Sequence, residues 1–151
     1  MRVAVAADER SALTQVLIEE LLARGHEPLL HGALLDGDCP EWAWGSAAAA
    51  EDVVAGRADQ AVVCCWTGTG AAIAANKIAG VRAALCGDAV TAAGARRWND
   101  ANVLALSLHA VGEGVLREIL DAWFATAASG DAGDRANVEH LAELDDARRR
   151  S

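Results

Sequence analysis

The stretch Val62-Val63-Cys64-Cys65-Trp66-Thr67-Gly68-Thr69-Gly70-Ala71-Ala72-Ile73-Ala74-Ala75-Asn76-Lys77 decides the fold. With Gln60 and Ala61 before it, the apolar run to Cys65 reads as a buried strand. Thr67-Gly68-Thr69-Gly70 is a turn, and Ala71 to Lys77 a short helix. Glycines let the backbone approach a ligand closely, and the free N–H groups of a helix start favour negative charge. The same pattern also fits a plain tight turn between strand and helix, since so short a glycine motif is weakly specific. It is not the dinucleotide fingerprint, because Ile73 holds the third glycine position and the turn follows the third strand.

Outward from this unit, strands and helices alternate. Arg2 to Ala7 reads as a buried strand, followed by a helix from Ser11 to Ala23. Ser11 is its N-cap, and Leu13, Val16, Leu17 and Leu21 share one face. Arg24-Gly25-His26 closes that helix, and Pro28 to His31 is the second strand. A loop rich in Gly and Asp leads to a helix from Glu41 to Ala55, which carries Trp42 and Trp44. Val81 to Cys86 reads as the fourth strand, a helix capped by Asp88 runs to about Arg97, and Asn102 to Leu106 is the fifth strand. Glu113 to Ala127 is a long amphipathic helix. Strands separated by helices imply a parallel sheet covered on both faces, with right-handed crossovers. The expected fold class is therefore α/β: a Rossmann-like doubly wound sandwich with a five-stranded parallel sheet. Ligands in such sheets bind at the carboxyl ends of the strands.

The end of the chain differs in character. Residues 1–127 form the expected domain, while Ala128 to Asp134 is a small, polar linker. Residues 135–147 then place Val138, Leu141 and Leu144 at helical spacing. Such a tail helix must cover its stripe, either on a second subunit or on its own domain, and residues 128–151 are expected to be associated with a dimer.

At 151 residues the chain has room for one core. Its net charge of −9 repels a phosphate backbone, which argues against nucleic acid as a partner. No apolar run approaches the ~18–20 residues that span a bilayer, and no export signal is visible, so the expected compartment is the cytoplasm. Cys39, Cys64, Cys65 and Cys86 show no CxxC or histidine-rich spacing and read as reduced thiols. Asp36, Asp38 and Glu41, without histidine or a regular ligand spacing, read as a solvated acidic loop rather than a metal site.

Cys65 stands where the apolar strand meets the turn. A thiol there faces the start of a helix, which favours its thiolate and suits a base that takes a proton from carbon beside a carbonyl. A second buried core thiol is the competing reading. Cys64, one residue earlier, points to the other side of the pleat.

The run from Cys65 to Lys77 resembles the Cys-Gly-Thr-Gly-x-Gly-x-x-Ile-Ala-Ala-Asn-Lys segment of the ribose-5-phosphate isomerase B and galactose-6-phosphate isomerase family. Gly80-Val-Arg-Ala-Ala-Leu-Cys86 with Asp88, and then Asn99-Asp-Ala-Asn-Val-Leu-Ala-Leu106, are similar to the family's next two motifs. The opening strand followed by Asp8 matches its start, so the likeness covers residues 1 to about 127 in unbroken order. The resemblance implies aldose–ketose isomerisation of a sugar or sugar phosphate through an enediolate, without metal or cofactor. Carried over by position, Cys65 is the base and Thr67 assists at the sugar oxygens. The amides around Gly68, Thr69 and Gly70, with Asn99, form an anion hole, and Asp8 holds sugar hydroxyls. The resemblance also implies a homodimer or dimer of dimers in which the partner chain completes each site.

This sequence departs from the family at the positions that handle the ring and the phosphate. Trp98 stands where the ring-opening histidine is expected, Glu9 where a phosphate-binding histidine is expected, and His109 where an arginine is expected. Arg135 is what remains of a basic pair in the tail, and Trp66 replaces the glycine after the catalytic cysteine. The expected function is thus a sugar isomerase whose substrate differs from the usual pentose phosphate. A non-catalytic relative that binds a carbohydrate-like ligand or a protein partner is the alternative.

Overall fold

A strand with no polar face must lie inside a sheet that is covered on both sides. In the computed structural model, which describes residues 1–151, two such runs are neighbours in a covered sheet: β1 (Arg2–Ala7) and β3 (Gln60–Cys65). With β2 (Glu27–Gly32), β4 (Ala83–Leu85) and β5 (Val103–Ser107) they form a five-stranded sheet in the order β2-β1-β3-β5-β4, and every pairing is parallel. The chain leaves β1 toward β2 on one side and returns to β3 on the other. The crevice between the carboxyl ends of β1 and β3 is therefore the switch point where such sheets bind ligands.

The pleat sorts side chains into two unlike layers. Val3, Val5, Val62, Cys64, Leu104 and Leu106 face α1 (Ala12–Ala23), α4 (Ala89–Asn99) and α5 (Glu113–Ala125), where Leu17, Leu21, Ala92, Ile119 and Trp123 meet them. Trp123 is fully buried, and its indole N–H donates to Gln60 Oε1 at 2.7 Å. Ala4, Ala6, Ala61, Val63, Cys65 and Ala105 face the other way, toward alanines of α2 (Trp42–Val54) and α3 (Thr69–Ala75). Small residues on both partners bring α2 and α3 close to the sheet, and so bring the start of α3 close to Cys65. His31 and Arg57 hold α2 in place, each 2.6 Å from the Asp52 carboxylate. Burial works to raise the Asp52 carboxyl, but the hydrogen bonds from Arg57 and His31 prevail and keep it below the usual carboxylate range.

The helix caps behave as their residues dictate. Ser11 and Thr14 bond each other's backbone N–H groups in a capping box, and Asp88 accepts from Thr91 N–H at 2.7 Å. Two elements differ from the sequence expectation. The fourth strand is three residues rather than six, because the Arg82 N–H donates to the Asn102 side chain at 2.8 Å instead of joining the ladder. The Asn76 amide also caps Ala83, accepting from its N–H and donating to its carbonyl. The tail helix α6 (Ala132–Arg150) starts inside the expected linker, because Asp131 caps it through the N–H groups of Gly133 and Asp134. α6 lies beside the end of α4 in its own chain, and Asp145 accepts from Gly80 N–H at 2.7 Å. None of its residues is buried, and Leu141 and Leu144 remain exposed. No helix is long and apolar enough to cross a membrane.

Candidate active site

Parallel register places the ends of β1, β3 and β5 side by side. Ala7 is level with Cys64, and Cys65 with Ser107, so Asp8, Cys65 and the residues after Ser107 emerge at one edge. The backbone leaving β3 is pinned there. The Cys65 carbonyl accepts from Gly68 N–H (3.2 Å) and Leu108 N–H (3.0 Å). The Trp66 carbonyl accepts from His109 N–H (2.9 Å) and from the Ser107 hydroxyl (2.8 Å). Ser107 is a pinning residue that sequence reading passed over; its signal was a polar side chain ending an otherwise apolar strand.

Gly68 makes the turn with φ +74°, and a Cβ on it would lie 2.6 Å from a Leu85 methyl and 2.8 Å from the Leu106 carbonyl carbon. No other residue fits there. α3 begins directly after it, and the Ala71 N–H donates to Cys65 Sγ at 3.4 Å. The expectation that Cys65 faces the helix start is met. Its neighbour Cys64 points into the opposite layer, where burial, followed by the nearby Cys65 and Asp8, pushes its thiol up to about 12. One thiol of the pair is therefore inert at neutral pH, while the other has a polar donor beside it.

The rest of this edge is polar or aromatic. Thr67 and Thr69 share a hydroxyl–hydroxyl hydrogen bond of 2.7 Å. Asp8 Oδ1 is buried with no hydrogen-bond partner, an acceptor that needs a donor from a ligand or water. Trp66 is 58% exposed and stacks on His109, with ring centroids 4.9 Å apart. Trp42 at the start of α2 carried no site role in the sequence reading. Its indole instead lies over the glycine turn, and a Cβ on Gly70 would sit 3.0 Å from it. Glu9 is exposed at the same edge, and the adjacent Arg10 is committed to Asp36 and to the Ala33 carbonyl.

Three expected site residues are elsewhere. Asn99 ends α4 and precedes Val103, which is level with Ala61 at the opposite edge of the sheet. Four residues of strand separate Ala61 from Cys65, about 13 Å at ~3.3 Å per residue. Asn99 lines a cleft there with Asn76, Val81 and Leu144, while Trp98 and Arg135 line an adjoining one with Arg97. The set drawn from sequence as one site thus falls into two separate groups in a single chain. Asp8, Glu9, Cys65, Trp66, Thr67, Gly68, Thr69, Gly70 and His109 lie at one edge. Trp98, Asn99 and Arg135 lie at the other. Parallel strands cause the split: a helix that follows one strand must return the chain to the starting edge of the next.

This architecture is shared with known proteins. The model of the Ribose/Galactose Isomerase family matches residues 3–141. A putative sugar phosphate isomerase of Bacillus subtilis is 34% identical over 137 residues, which is 86% of this chain and 88% of that protein. Ribose-5-phosphate isomerase B of Escherichia coli is 36% identical over 120 residues, 78% of each chain. The solved structure of ribose-5-phosphate isomerase B from Clostridium thermocellum superposes with a TM-score of 0.89 at 30% identity, covering 98% of this chain and 99% of that one. The chain belongs to the Ribose/Galactose Isomerase family. Its fold is that of the type B sugar-phosphate isomerases.

Proposed function

We propose that the protein interconverts an aldose and a ketose through an enediolate, with Cys65 as the base. The Cys65 thiolate takes the proton from the carbon beside the substrate carbonyl, and the electron pair moves onto the carbonyl oxygen. The amide N–H groups around Gly68 and Gly70 receive the developing negative charge, the step where fixed donors contribute most. Thr67 and Asp8 hold the hydroxyls, and Cys65 returns the proton to the neighbouring carbon. The observation that carries this reading is the pairing of Cys65 Sγ, under the Ala71 N–H, with the unpartnered Asp8 Oδ1 in the register-adjacent position.

Asn99, Trp98 and Arg135 join this site from a second chain, so the working unit is a homodimer with two shared sites. The distance between the two half-sites supports this. The substrate differs from a pentose phosphate. Asp8, Glu9, Asp36, Asp38 and Glu41 crowd the Cys65 edge, and the one arginine among them is already paired. A dianion would enter a field of its own sign. Free thiols buried in both layers suit the reducing cytoplasm.

A parallel isomerisation screen of free and phosphorylated aldoses and ketoses in deuterated water tests the reading. The expected result is turnover of an unphosphorylated sugar, with deuterium entering at the carbon beside the carbonyl. Absence of turnover and of exchange across the whole panel would contradict it and leave a binding protein.

A further inference from the structure

Trp66 and His109 leave the carboxyl ends of β3 and β5 as a fixed pair. The Trp66 carbonyl accepts from both the His109 N–H and the Ser107 hydroxyl, so the two backbones are held together, and their rings stack at an angle of 29°. Trp66 directly follows Cys65 and is more than half exposed, so much of its ring stays open at the mouth of the site. Beside the pair lies a cleft of about 400 Å³, lined by Thr67, Leu85, Cys86, Ser107, His109 and Val111. That volume fits a small molecule. Thr67 also belongs to the glycine turn, which makes the cleft continuous with the Cys65 site.

The cleft gives a charged or hydroxylated group few partners. Ser107 donates to the Trp66 carbonyl and accepts from Ala110 N–H at 3.0 Å, and the Thr67 hydroxyl is bonded to that of Thr69. The Val111 and Cys86 N–H groups donate to the Ser107 and Ala105 carbonyls. The Cys86 thiol donates to the Ala84 carbonyl at 3.6 Å. Burial, followed by the nearby Asp88, pushes that thiol up to about 11, so it is neutral at neutral pH. His109 is the one cleft side chain able to carry a positive charge, and its ring lies against Trp66. The start of α4 already holds an anion, the Asp88 carboxylate that accepts from Thr91 N–H. A phosphate or hydroxyl entering here gives up water without a replacement, a cost that a methyl group does not bear. The negative face of the indole also favours the weakly positive C–H groups of a sugar.

We infer that Trp66 and this cleft receive the end of the substrate remote from its carbonyl and that this end is a methyl group, so that, on the isomerase reading above, the substrate is a terminal deoxy sugar. Its carbonyl end lies at Cys65, and its terminal carbon crosses the glycine turn to meet the indole, Leu85 and Val111. Trp66 selects the substrate and takes no part in proton transfer.

NMR titration with matched aldoses that differ only at the terminal carbon tests the inference: 5-deoxy-D-ribose with D-ribose, L-rhamnose with L-mannose, and L-fucose with L-galactose. The Trp66 indole N–H signal, identified as the one missing from Trp66→Phe, is expected to shift. In at least one pair the methyl sugar should bind roughly ten- to a hundredfold more tightly than its hydroxymethyl partner, the range an apolar pocket achieves on one group. Trp66→Ala should raise KM for the methyl sugar about tenfold, the worth of two carbons withdrawn from water, with kcat unchanged. Trp66→Phe keeps a ring and should restore most of the loss. Parallel samples in deuterated water report proton exchange beside the carbonyl. Equal binding within every pair, a preference for the hydroxymethyl sugars, an unshifted indole signal or an unchanged KM in Trp66→Ala would overturn the inference, and continued deuterium entry would leave the isomerase standing. A methyl-sugar preference that shifts the indole signal, with no deuterium entry for any sugar, would uphold the cleft's selectivity and overturn the isomerase reading instead.

Discussion

Cys65→Ala should abolish isomerisation and solvent-deuterium exchange while leaving the fold intact, whereas Cys64→Ala should retain both activities and lose stability. The two thiols are adjacent in sequence and alike in burial, so the contrast isolates chemistry from packing. A positioned general base contributes roughly 10²–10⁴-fold. The proposed mechanism makes Cys65 that base, so the rate of Cys65→Ala should fall by the full ~10⁴-fold or below detection. Cys64 has no such role, because burial holds its thiol near 12 and its sulfur fills the layer beneath α1 and α5. Removing one buried heavy atom there should cost about 1 kcal/mol, read as a lower midpoint in urea unfolding. Near-normal exchange in Cys65→Ala would remove Cys65 from the mechanism.

The second large effect concerns the substrate's charge. Ribose 5-phosphate should bind poorly, and Glu9→His should improve its binding. Each charge-assisted hydrogen bond missing from a phosphate is worth ~1.5–3 kcal/mol. Two missing bonds weaken binding by roughly a hundredfold or more. Glu9 is exposed at the Cys65 edge and adds like-charge repulsion to that loss, while His109 is stacked on Trp66. Glu9→His removes the repulsion and adds a donor. Calorimetric titration of ribose 5-phosphate and of free sugars into both proteins reads the effect directly. Micromolar binding of the phosphate by wild type would show that cations of the second chain, Arg135 among them, rebuild a phosphate site, and the substrate would then be an ordinary sugar phosphate.

The sheet and its order of elements were legible in the sequence because β1 and β3 are apolar on both faces and Ser11 and Asp88 are strong caps. The short β4 was not. Val81 to Cys86 reads as a full strand by hydropathy, but the Asn76 and Asn102 side chains take over its backbone groups from 7 and 20 residues away, and no local pattern encodes that. The start of α6 was missed because small residues around Asp131 resemble a linker, although one aspartate in the right conformation caps a helix there. Within the site, the placement of Cys65 at a strand end facing the start of α3, and the turn at Gly68, could be read from residue type and spacing. Trp42 could not be assigned to the glycine turn, because only packing through alanine-sized contacts brings α2 that close. The motif order also concealed the separation of Asn99 from Cys65. Sequence places Asn99 directly before a strand and Cys65 at the end of one, and in a parallel sheet those are opposite edges.

That separation gives the central claim its most direct test. Cys65→Ala and Asn99→Ala chains, each expected to be nearly inactive alone, are co-expressed and assayed as the mixture. If each site takes Cys65 from one chain and Asn99 from the other, random pairing makes half of the dimers mixed, with one of two sites intact, so about a quarter of wild-type activity should return. A mixture no more active than its two components would contradict a site shared between chains.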